Sequence, residues 1–270
     1  MQIQSNGIRM HVEIGGDASL PADAPWVSFL PGIANDATFW AVQAAAVEQG
    51  YRTLRFDPRG HGDSESTPGD YSFDLTIADL LGLWDALGIA SSHVVGLGYG
   101  GSMGIGLALQ QPQRVRSLLA VACRAVMSEE FRAAWIERSA RVRRDGVASF
   151  AAPTVARWFS DEFKAANPQV LQRVQAMVER TSTDGYCGYA NAFIGLDYVA
   201  QLPQLQVPVT FVSGGKDFGG GHPDIMAAMT AAVPGATQVI IPGVGHICNL
   251  EAPLAFNEVL RVHLAQHSNG

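Results

Sequence analysis

Short runs of β-branched and apolar residues alternate with longer amphipathic segments along most of the chain. This alternation is typical of a mainly parallel sheet with helices on both faces, because parallel strands need long, usually helical, crossover connections. We predict seven strands, at residues 9–14, 27–30, 52–56, 93–97, 117–123, 209–213 and 238–241. The sequence therefore predicts a doubly wound α/β fold built as one unit.

Two of the intervening helices are well marked. The first has apolar residues at helical spacing, namely Ile77, Leu80, Leu81, Trp84 and Leu87. We expect Asp79 and Asp85 of this helix to remain in solvent, and Gly88 to end it. The last helix begins after Leu250, with Pro253 in its first turn. Its apolar stripe predicts that it packs on the sheet and closes the fold.

The rhythm changes between residues 127 and 200. Strand-like runs stop, Arg and Glu become frequent, and Asn167-Pro168 is typical of a helix cap followed by a first-turn proline. We predict that 127–200 is a helical lid inserted over one end of the sheet. Residues 1–126 and 201–270 then form the α/β core.

Composition narrows the function classes. The chain has 18 Lys and Arg against 25 Asp and Glu, a formal charge of −7, which argues against nucleic acid or an anionic membrane as a partner. With 47% hydrophobic residues it has enough apolar side chain for a sizeable core. It lacks a signal-like start and any run of about 18 apolar residues, so we expect a cytoplasmic protein.

Candidate reactive groups are sought in the loops after the strands, because ligands bind at the carboxyl ends of parallel sheets. Four such regions carry polar or glycine-rich sequences. They are 30–35 (LPGIAN), 57–64 (DPRGHGDS), 96–101 (GLGYGG), and the pair 214–217 (GGKD) and 243–246 (GVGH).

In this order, these motifs resemble the α/β-hydrolase family, and the resemblance spans nearly the whole chain. The predicted lid is also similar to that of 3-oxoadipate enol-lactonases and their relatives. The similar positions are Trp135, Arg138, Arg157-Trp158-Phe159, Asp184-Gly185-Tyr186 and Asp197. The resemblance implies an α/β-hydrolase fold with a helical lid, acting on a small lactone or ester-like molecule.

The sequence departs from the family at the nucleophile. The family pattern is G-x-S-x-G on a sharp strand-to-helix turn, but 96–100 reads GLGYG, with Gly98 where serine is expected. A second register, 100–104 (GGSMG), fits the pattern at Ser102. Because the apolar strand ends just before Gly98, Ser102 would lie about one turn inside the following helix. We therefore favour Gly98 as the turn residue.

The resemblance assigns the remaining site residues. His246 would be the general base, and Asp217 would accept from its other ring nitrogen and fix the tautomer. The backbone N–H groups of Ile33 and Tyr99 would form the oxyanion hole. Residues 31–32 read Pro-Gly where the family usually has His-Gly, which retains the backbone donor.

A glycine at the turn leaves several mechanisms open. Glycine supplies no group for an acyl-enzyme, so His246 would activate a water that attacks the substrate directly. Alternatively, His246 would remove a substrate proton, giving serine-independent lyase, isomerase or C–C bond hydrolysis chemistry. The chain would otherwise be a ligand-binding pseudoenzyme, or a serine enzyme deliberately silenced by a Ser-to-Gly change.

The sequence gives fewer indications of the substrate and of any cofactor than of the catalytic residues. Arg124 and Arg138 would hold a substrate carboxylate, with Trp135 also contacting the substrate. We expect no cofactor, because 96–101 fits G-x-G-x-x-G only partly and lacks an acidic ribose partner. We also expect no metal, since Cys123, Cys187 and Cys248 are too widely spaced for a C-x-x-C site. We expect a small-molecule substrate as the partner. The sequence also allows a homo-oligomer.

Overall fold

A computed structural model describes residues 1–268. Its eight-stranded sheet has the order β1-β2-β4-β3-β5-β6-β7-β8. The strands are β1 Gln2–Ser5, β2 Ile8–Gly15, β3 Trp26–Leu30, β4 Arg52–Phe56, β5 Ser92–Leu97, β6 Val115–Val121, β7 Val209–Gly214 and β8 Thr237–Ile241. Strand β2 is antiparallel to both neighbours, and the other pairings are parallel. The predicted α/β class is confirmed.

The main differences from the predicted strands are the additional edge strand β1 and the earlier end of strand β6. The short strand β1 was not predicted, because its sequence, QIQS, is mostly polar and exposed. Strand β6 ends at Val121 rather than at 123, because Ala122 has a φ of 45°, which breaks the extended backbone. The central strands β5 and β7 are buried along their whole length, as expected for strands covered on both faces.

Six helices accompany the core strands, at α1 Ala41–Ala45, α2 Phe73–Ala86, α3 Tyr99–Gln110, α9 Pro223–Ala232, α10 Cys248–Glu251 and α11 Pro253–Gln266. Helix α2 begins where the Ser72 side chain accepts a hydrogen bond from Leu75 N, and Gly88, with a φ of 68°, follows its end. The expectation that Asp79 stays in solvent is wrong. Its carboxylate is 1% exposed and pairs with Arg59 from the loop after β4.

Between β6 and β7 the chain forms a helical insertion of five helices. These are α4 Glu129–Asp145, α5 Ala148–Trp158, α6 Asp161–Ala166, α7 Pro168–Glu179 and α8 Thr183–Ile194. Ser128, Ser160 and Ser182 cap α4, α6 and α8 by accepting backbone hydrogen bonds. No helix within residues 1–268 is both long and apolar enough to cross a bilayer.

Candidate active site

Gly98 is the single residue that links strand β5 to helix α3. Its φ of 57° and ψ of −116° make a sharp turn, in a backbone conformation that residues with a side chain rarely adopt. The flanking glycines are needed for close packing, because a Cβ on Gly96 would collide with Gly100 O, and one on Gly100 with Leu30 O. These close contacts hold residue 98 in a tight turn at the carboxyl end of the sheet.

Ser102, the residue of the competing register, lies inside α3 and is fully buried. Its hydroxyl donates to Arg124 O at 2.7 Å and approaches Gly98 O at 3.3 Å. Ser102 does not line the cavity described next. The structure thus puts Gly98 on the turn and Ser102 in a structural contact.

A cavity of about 460 Å³ lies between the sheet and the insertion. Its floor is made by the loops after β3, β5 and β8, which contribute Gly32, Ile33, Gly98, Tyr99 and His246. Its roof comes mainly from α4, α5 and α8, and includes Trp135, Arg138, Thr154, Arg157, Trp158, Tyr186 and Phe193. The sequence-predicted residues Gly98, His246, Ile33, Tyr99, Arg138 and Trp135 therefore meet in one cavity.

His246 and Asp217 form a hydrogen-bonded pair beside Gly98. His246 Nδ1 lies 2.8 Å from Asp217 Oδ2. Gly219 N and Gly221 N donate to the two oxygens of the same carboxylate at 2.7 and 3.0 Å. Because the carboxylate is the acceptor, Nδ1 is the ring nitrogen that donates, and in the neutral tautomer that follows Nε2 is the acceptor atom.

The Asp217 side chain is fully buried, yet it is held as an anion. Burial by itself raises the pKa of Asp217, but the nearby His246 and the hydrogen bonds outweigh burial and hold that pKa below its usual value. Asp217 is therefore suited to orient His246 and to stabilise its protonated form.

The Nε2 atom of His246 points at the turn. A Cβ placed on Gly98 would meet Nε2 at 3.7 Å and no other atom within 4 Å beyond its chain neighbours. A proton acceptor therefore lies within reach of whatever attacker occupies the space beside Gly98.

The two amides expected to form the oxyanion hole belong to Ile33 and Tyr99. Within residues 1–268, neither N–H donates to another protein group. Both residues line the cavity, and each follows a strand end, β3 for Ile33 and β5 for Tyr99. This arrangement leaves two donors available to an oxygen atom in the cavity.

The loop that carries Ile33 is fixed from behind by the loop after β4. Ala34 N donates to His61 Nε2 at 2.9 Å, and Ala37 N donates to Asp57 Oδ1 at 2.7 Å. Burial lowers the pKa of His61 to about 4, so this ring stays neutral and accepts the hydrogen bond. These contacts tether the loop that carries Ile33 to residues 57–64.

The Tyr99 side chain is part of the cavity wall. Its ring stacks on Phe73 at 4.5 Å, and its hydroxyl shares a hydrogen bond of 2.9 Å with Thr76. Burial raises the pKa of Tyr99 well above its usual value, so the phenol remains protonated.

The roof carries arginines without acidic partners. Arg138 stacks on Trp135 with Cζ 4.4 Å from the ring centroid, and both Arg138 and Arg157 lie near Phe150. In the described chain, neither arginine forms a salt bridge. Burial and the charge of Arg138 lower the pKa of Arg157. The roof therefore has positive charge that no carboxylate within residues 1–268 pairs with.

Arg124 has a different position from the one predicted. It is absent from the cavity lining, and its guanidinium lies 4.0 Å from the centre of the Phe131 ring. Its Nη2 donates to Gly219 O at 3.0 Å. In this position it braces the loop after Asp217 rather than facing the cavity.

Arg157 and Thr154 also line the cavity, although they were not among the predicted site residues. Thr154, Arg157 and Trp158 recur at i, i+3 and i+4, so one face of a predicted helix would have grouped them. Trp135 and Arg138 have the same i, i+3 relation on α4. Helical spacing was the signal that could have identified them.

His11, Asp57 and Asp63 place potential metal-ligand atoms within 4.8 Å of one another. The Asp57 oxygens already accept hydrogen bonds from Ala37 N and Asp63 N, and none of the three residues lines the cavity. We assign no metal to this group, since its carboxylate oxygens serve the loop contacts described above.

Comparisons with known proteins agree with the fold. Residues 25–253 match the family described as alpha/beta hydrolase fold. A 3-oxoadipate enol-lactonase of Acinetobacter baylyi is 28% identical over 239 residues, covering 88% of each chain. The crystal structure of an enol-lactonase from Burkholderia xenovorans has a TM-score of 0.93 at 29% identity, covering 98% of this chain and 100% of that one. A malate-bound thermophilic esterase from Thermogutta terrifontis has a TM-score of 0.91 at 25% identity, covering 99% of both chains.

Proposed function

Because this chain belongs to the α/β-hydrolase fold family, we propose that it hydrolyses a small lactone or ester that bears a carboxylate, without using a serine nucleophile. The observation that carries this proposal is the pairing of Gly98 with His246. The turn presents no side chain, while Nε2 lies 3.7 Å from the position of a Cβ on it. A base is therefore within reach of a water molecule at the place of the absent hydroxyl group.

The expected reaction has two steps. His246 Nε2 takes a proton from water as the water oxygen bonds to the substrate carbonyl carbon, and Asp217 stabilises the resulting imidazolium. The N–H groups of Ile33 and Tyr99 stabilise the negative charge on the carbonyl oxygen. The carbon–oxygen bond of the ester then breaks, and His246 returns the proton to the leaving oxygen.

The roof supports an acidic substrate. Arg138 and Arg157 provide positive charge in the cavity, and two further polar atoms, Trp135 Nε1 and Thr154 Oγ1, are buried without a partner within residues 1–268. A ligand carboxylate would accept hydrogen bonds from these donors and neutralise the arginines. Relatives named as enol-lactonases of 3-oxoadipate, a dicarboxylate, are consistent with such a ligand.

The test is turnover of small lactones with and without a carboxymethyl substituent, in water enriched in ¹⁸O. We expect the chain to open the acidic lactone and to place one ¹⁸O atom in the new carboxylate. The variant His246→Gln should lower kcat/KM by about 10²–10⁴-fold, because the general base is lost.

Three outcomes would contradict the proposal. An inactive chain whose Gly98→Ser variant is active would identify a silenced serine enzyme. Ligand binding without turnover in either form would identify a binding protein. Exchange of a substrate C–H for solvent deuterium, with no ¹⁸O uptake, would identify proton-transfer chemistry at the same base.

A further inference from the structure

Aromatic side chains are concentrated around the cavity. Seven of the twenty residues that line it are Phe, Tyr or Trp, whereas these residue types make up 9% of the chain. Aromatic rings attract one another by more than the burial of apolar area provides. We infer that the substrate is an ester whose alcohol part carries an aromatic ring. This inference rests on the proposed function, since it names the leaving group of the same reaction.

Two of the seven rings differ from the rest in having no aromatic partner. Five of them pack on another Phe, Tyr or Trp ring of the protein. Trp158 and Phe218 have no such ring against them within residues 1–268. Phe218 is 86% exposed, and Trp158 is half-buried at the end of α5. A ligand ring that packs on them would remove apolar area from water.

Both residues belong to segments that pack against the loop of His246. Trp158 O accepts a hydrogen bond from Ile247 N at 3.2 Å. Phe218 lies two residues before Gly220, and a Cβ placed on Gly220 would lie 3.1 Å from His246 Cε1. All five residues line the cavity. The two rings without aromatic partners therefore lie on the His246 side of the cavity.

The proposed reaction brings the alcohol part of the substrate to this side. His246 Nε2 gives its proton to the leaving oxygen, so that oxygen must come within hydrogen-bond distance of Nε2. The alcohol part begins at the leaving oxygen and therefore starts next to His246. The carbonyl oxygen of the acyl part is held by the N–H groups of Ile33 and Tyr99, on the loops after β3 and β5. A ring on the alcohol part is then the part of the substrate that reaches Trp158 and Phe218.

The experiment compares two monoesters of one short dicarboxylic acid. Their alcohols are benzyl alcohol and cyclohexylmethanol, which are similar in size and in acidity, although only the first has an aromatic ring. We expect kcat/KM to be about tenfold higher for the benzyl ester, because each aromatic contact should favour it by about two- to tenfold. Equal kcat/KM values for the two esters would overturn the inference, and this comparison needs no variant.

Two variants test where the ring binds. Trp158→Leu and Phe218→Leu each keep an apolar side chain but remove its ring, so each should lower kcat/KM for the benzyl ester by about two- to tenfold. The cyclohexylmethyl ester should change little. Trp26→Leu is the matched control, because Trp26 is half-buried at the start of β3 and lies outside the cavity lining. Equal losses for both esters in Trp158→Leu and Phe218→Leu would contradict recognition of an aromatic ring.

Failure of the inference can be separated from failure of the proposed function. Turnover of the acidic lactone without turnover of either monoester would overturn the inference alone. A higher kcat/KM for the monomethyl ester of a phenyl-substituted dicarboxylic acid than for the benzyl ester would place the ring in the acyl part, which also overturns the inference alone. A chain that hydrolyses none of these compounds would contradict both.

Discussion

The floor and the roof of the cavity differ in how their polar groups are satisfied. On the floor, Asp217 accepts from His246, Gly219 and Gly221, while His61 and Asp57 anchor the loop that carries Ile33. On the roof, Arg138 and Arg157 lie near aromatic rings but form no salt bridge within residues 1–268, and Trp135 Nε1 and Thr154 Oγ1 are buried without a hydrogen-bond partner. We therefore expect the floor to be in place before substrate arrives, and a ligand to complete the polar contacts of the roof.

This contrast assigns different tasks to the two regions. Groups held by several hydrogen bonds are suited to stabilise a transition state, because they need no reorganisation during the reaction. Groups left without partners give binding energy and specificity to a ligand that satisfies them. Changes to the floor should lower kcat, and changes to the roof should raise KM.

The largest effect is expected from Asp217→Asn on the floor. An amide at this position no longer enforces the tautomer of His246, so we expect kcat to fall by about 10²–10⁴-fold with little change in KM. Steady-state kinetics with the acidic lactone would measure this. Asp224→Asn, which changes an exposed residue in the first turn of α9, is the matched control and should keep the parent rate. A fall in KM equal to the fall in kcat would contradict the assignment.

The next effect is expected from Arg138→Met on the roof. Loss of a charged donor should raise KM for the acidic lactone by about ten- to a hundredfold, since a hydrogen bond to a charged group contributes about 1.5–3 kcal/mol. The neutral lactone should show no such change. Arg141→Met is the matched control, because Arg141 lies on the same helix and near the same Phe150 ring but outside the cavity lining. Equal KM changes for both lactones would count against carboxylate recognition.

At the opposite end of the sheet, a buried histidine should make the stability of the protein depend on pH, independently of the cavity. Burial lowers the pKa of His263 to about 3, and its ring nitrogens lie 2.9 Å from Thr210 and Ser117 hydroxyls. An unfolded histidine takes up a proton near pH 6.5, so the free energy of unfolding should fall as pH drops from 6.5 toward 3.

His263→Gln should flatten this dependence. One proton fewer taken up on unfolding changes the slope by about 1.4 kcal/mol per pH unit, measurable by urea unfolding between pH 6.5 and pH 5. Arg261→Gln, exposed on the same helix, should leave the slope as it is. An unchanged slope in His263→Gln would show that His263 is protonated in the folded protein.

A smaller effect is expected where floor and roof meet. Glu251 accepts from Gly245 N at 2.9 Å and from Ser160 N at 3.2 Å, which ties the loop of His246 to the junction of α5 and α6 within the insertion. Glu251→Gln should weaken this tie and lower kcat by about tenfold or less. The exposed Glu258→Gln provides the control. If Glu251→Gln lowered only thermal stability, Glu251 would have no part in positioning His246.

Much of the floor could be predicted from the sequence, because its signals are local. Each of its parts, a buried strand, a sharp glycine turn or a short polar loop, is encoded within about ten residues. Their order along the chain places them together at the carboxyl end of the sheet. The same reasoning favoured Gly98 over Ser102, since the strand ends at Leu97.

The roof and the buried ion pairs were harder, because their partners are distant in sequence. Asp79 was expected in solvent, but it is buried and pairs with Arg59, which lies 20 residues earlier in the chain. Arg124 was expected to contact substrate, but it stacks on Phe131 and donates to Gly219 O, 95 residues away. Such contacts join residues that are far apart in the sequence, and no local pattern specifies them.

The central claim is that an external molecule, activated by His246, attacks the substrate and that the protein is never acylated. Intact-mass spectrometry of the chain, quenched during turnover of an aryl ester, tests this most directly, with Gly98→Ser as the positive control. We predict an unmodified mass for the chain and an acyl adduct at residue 98 for the variant. An acyl adduct on the unaltered chain, at Ser102 or any other cavity residue, would contradict it.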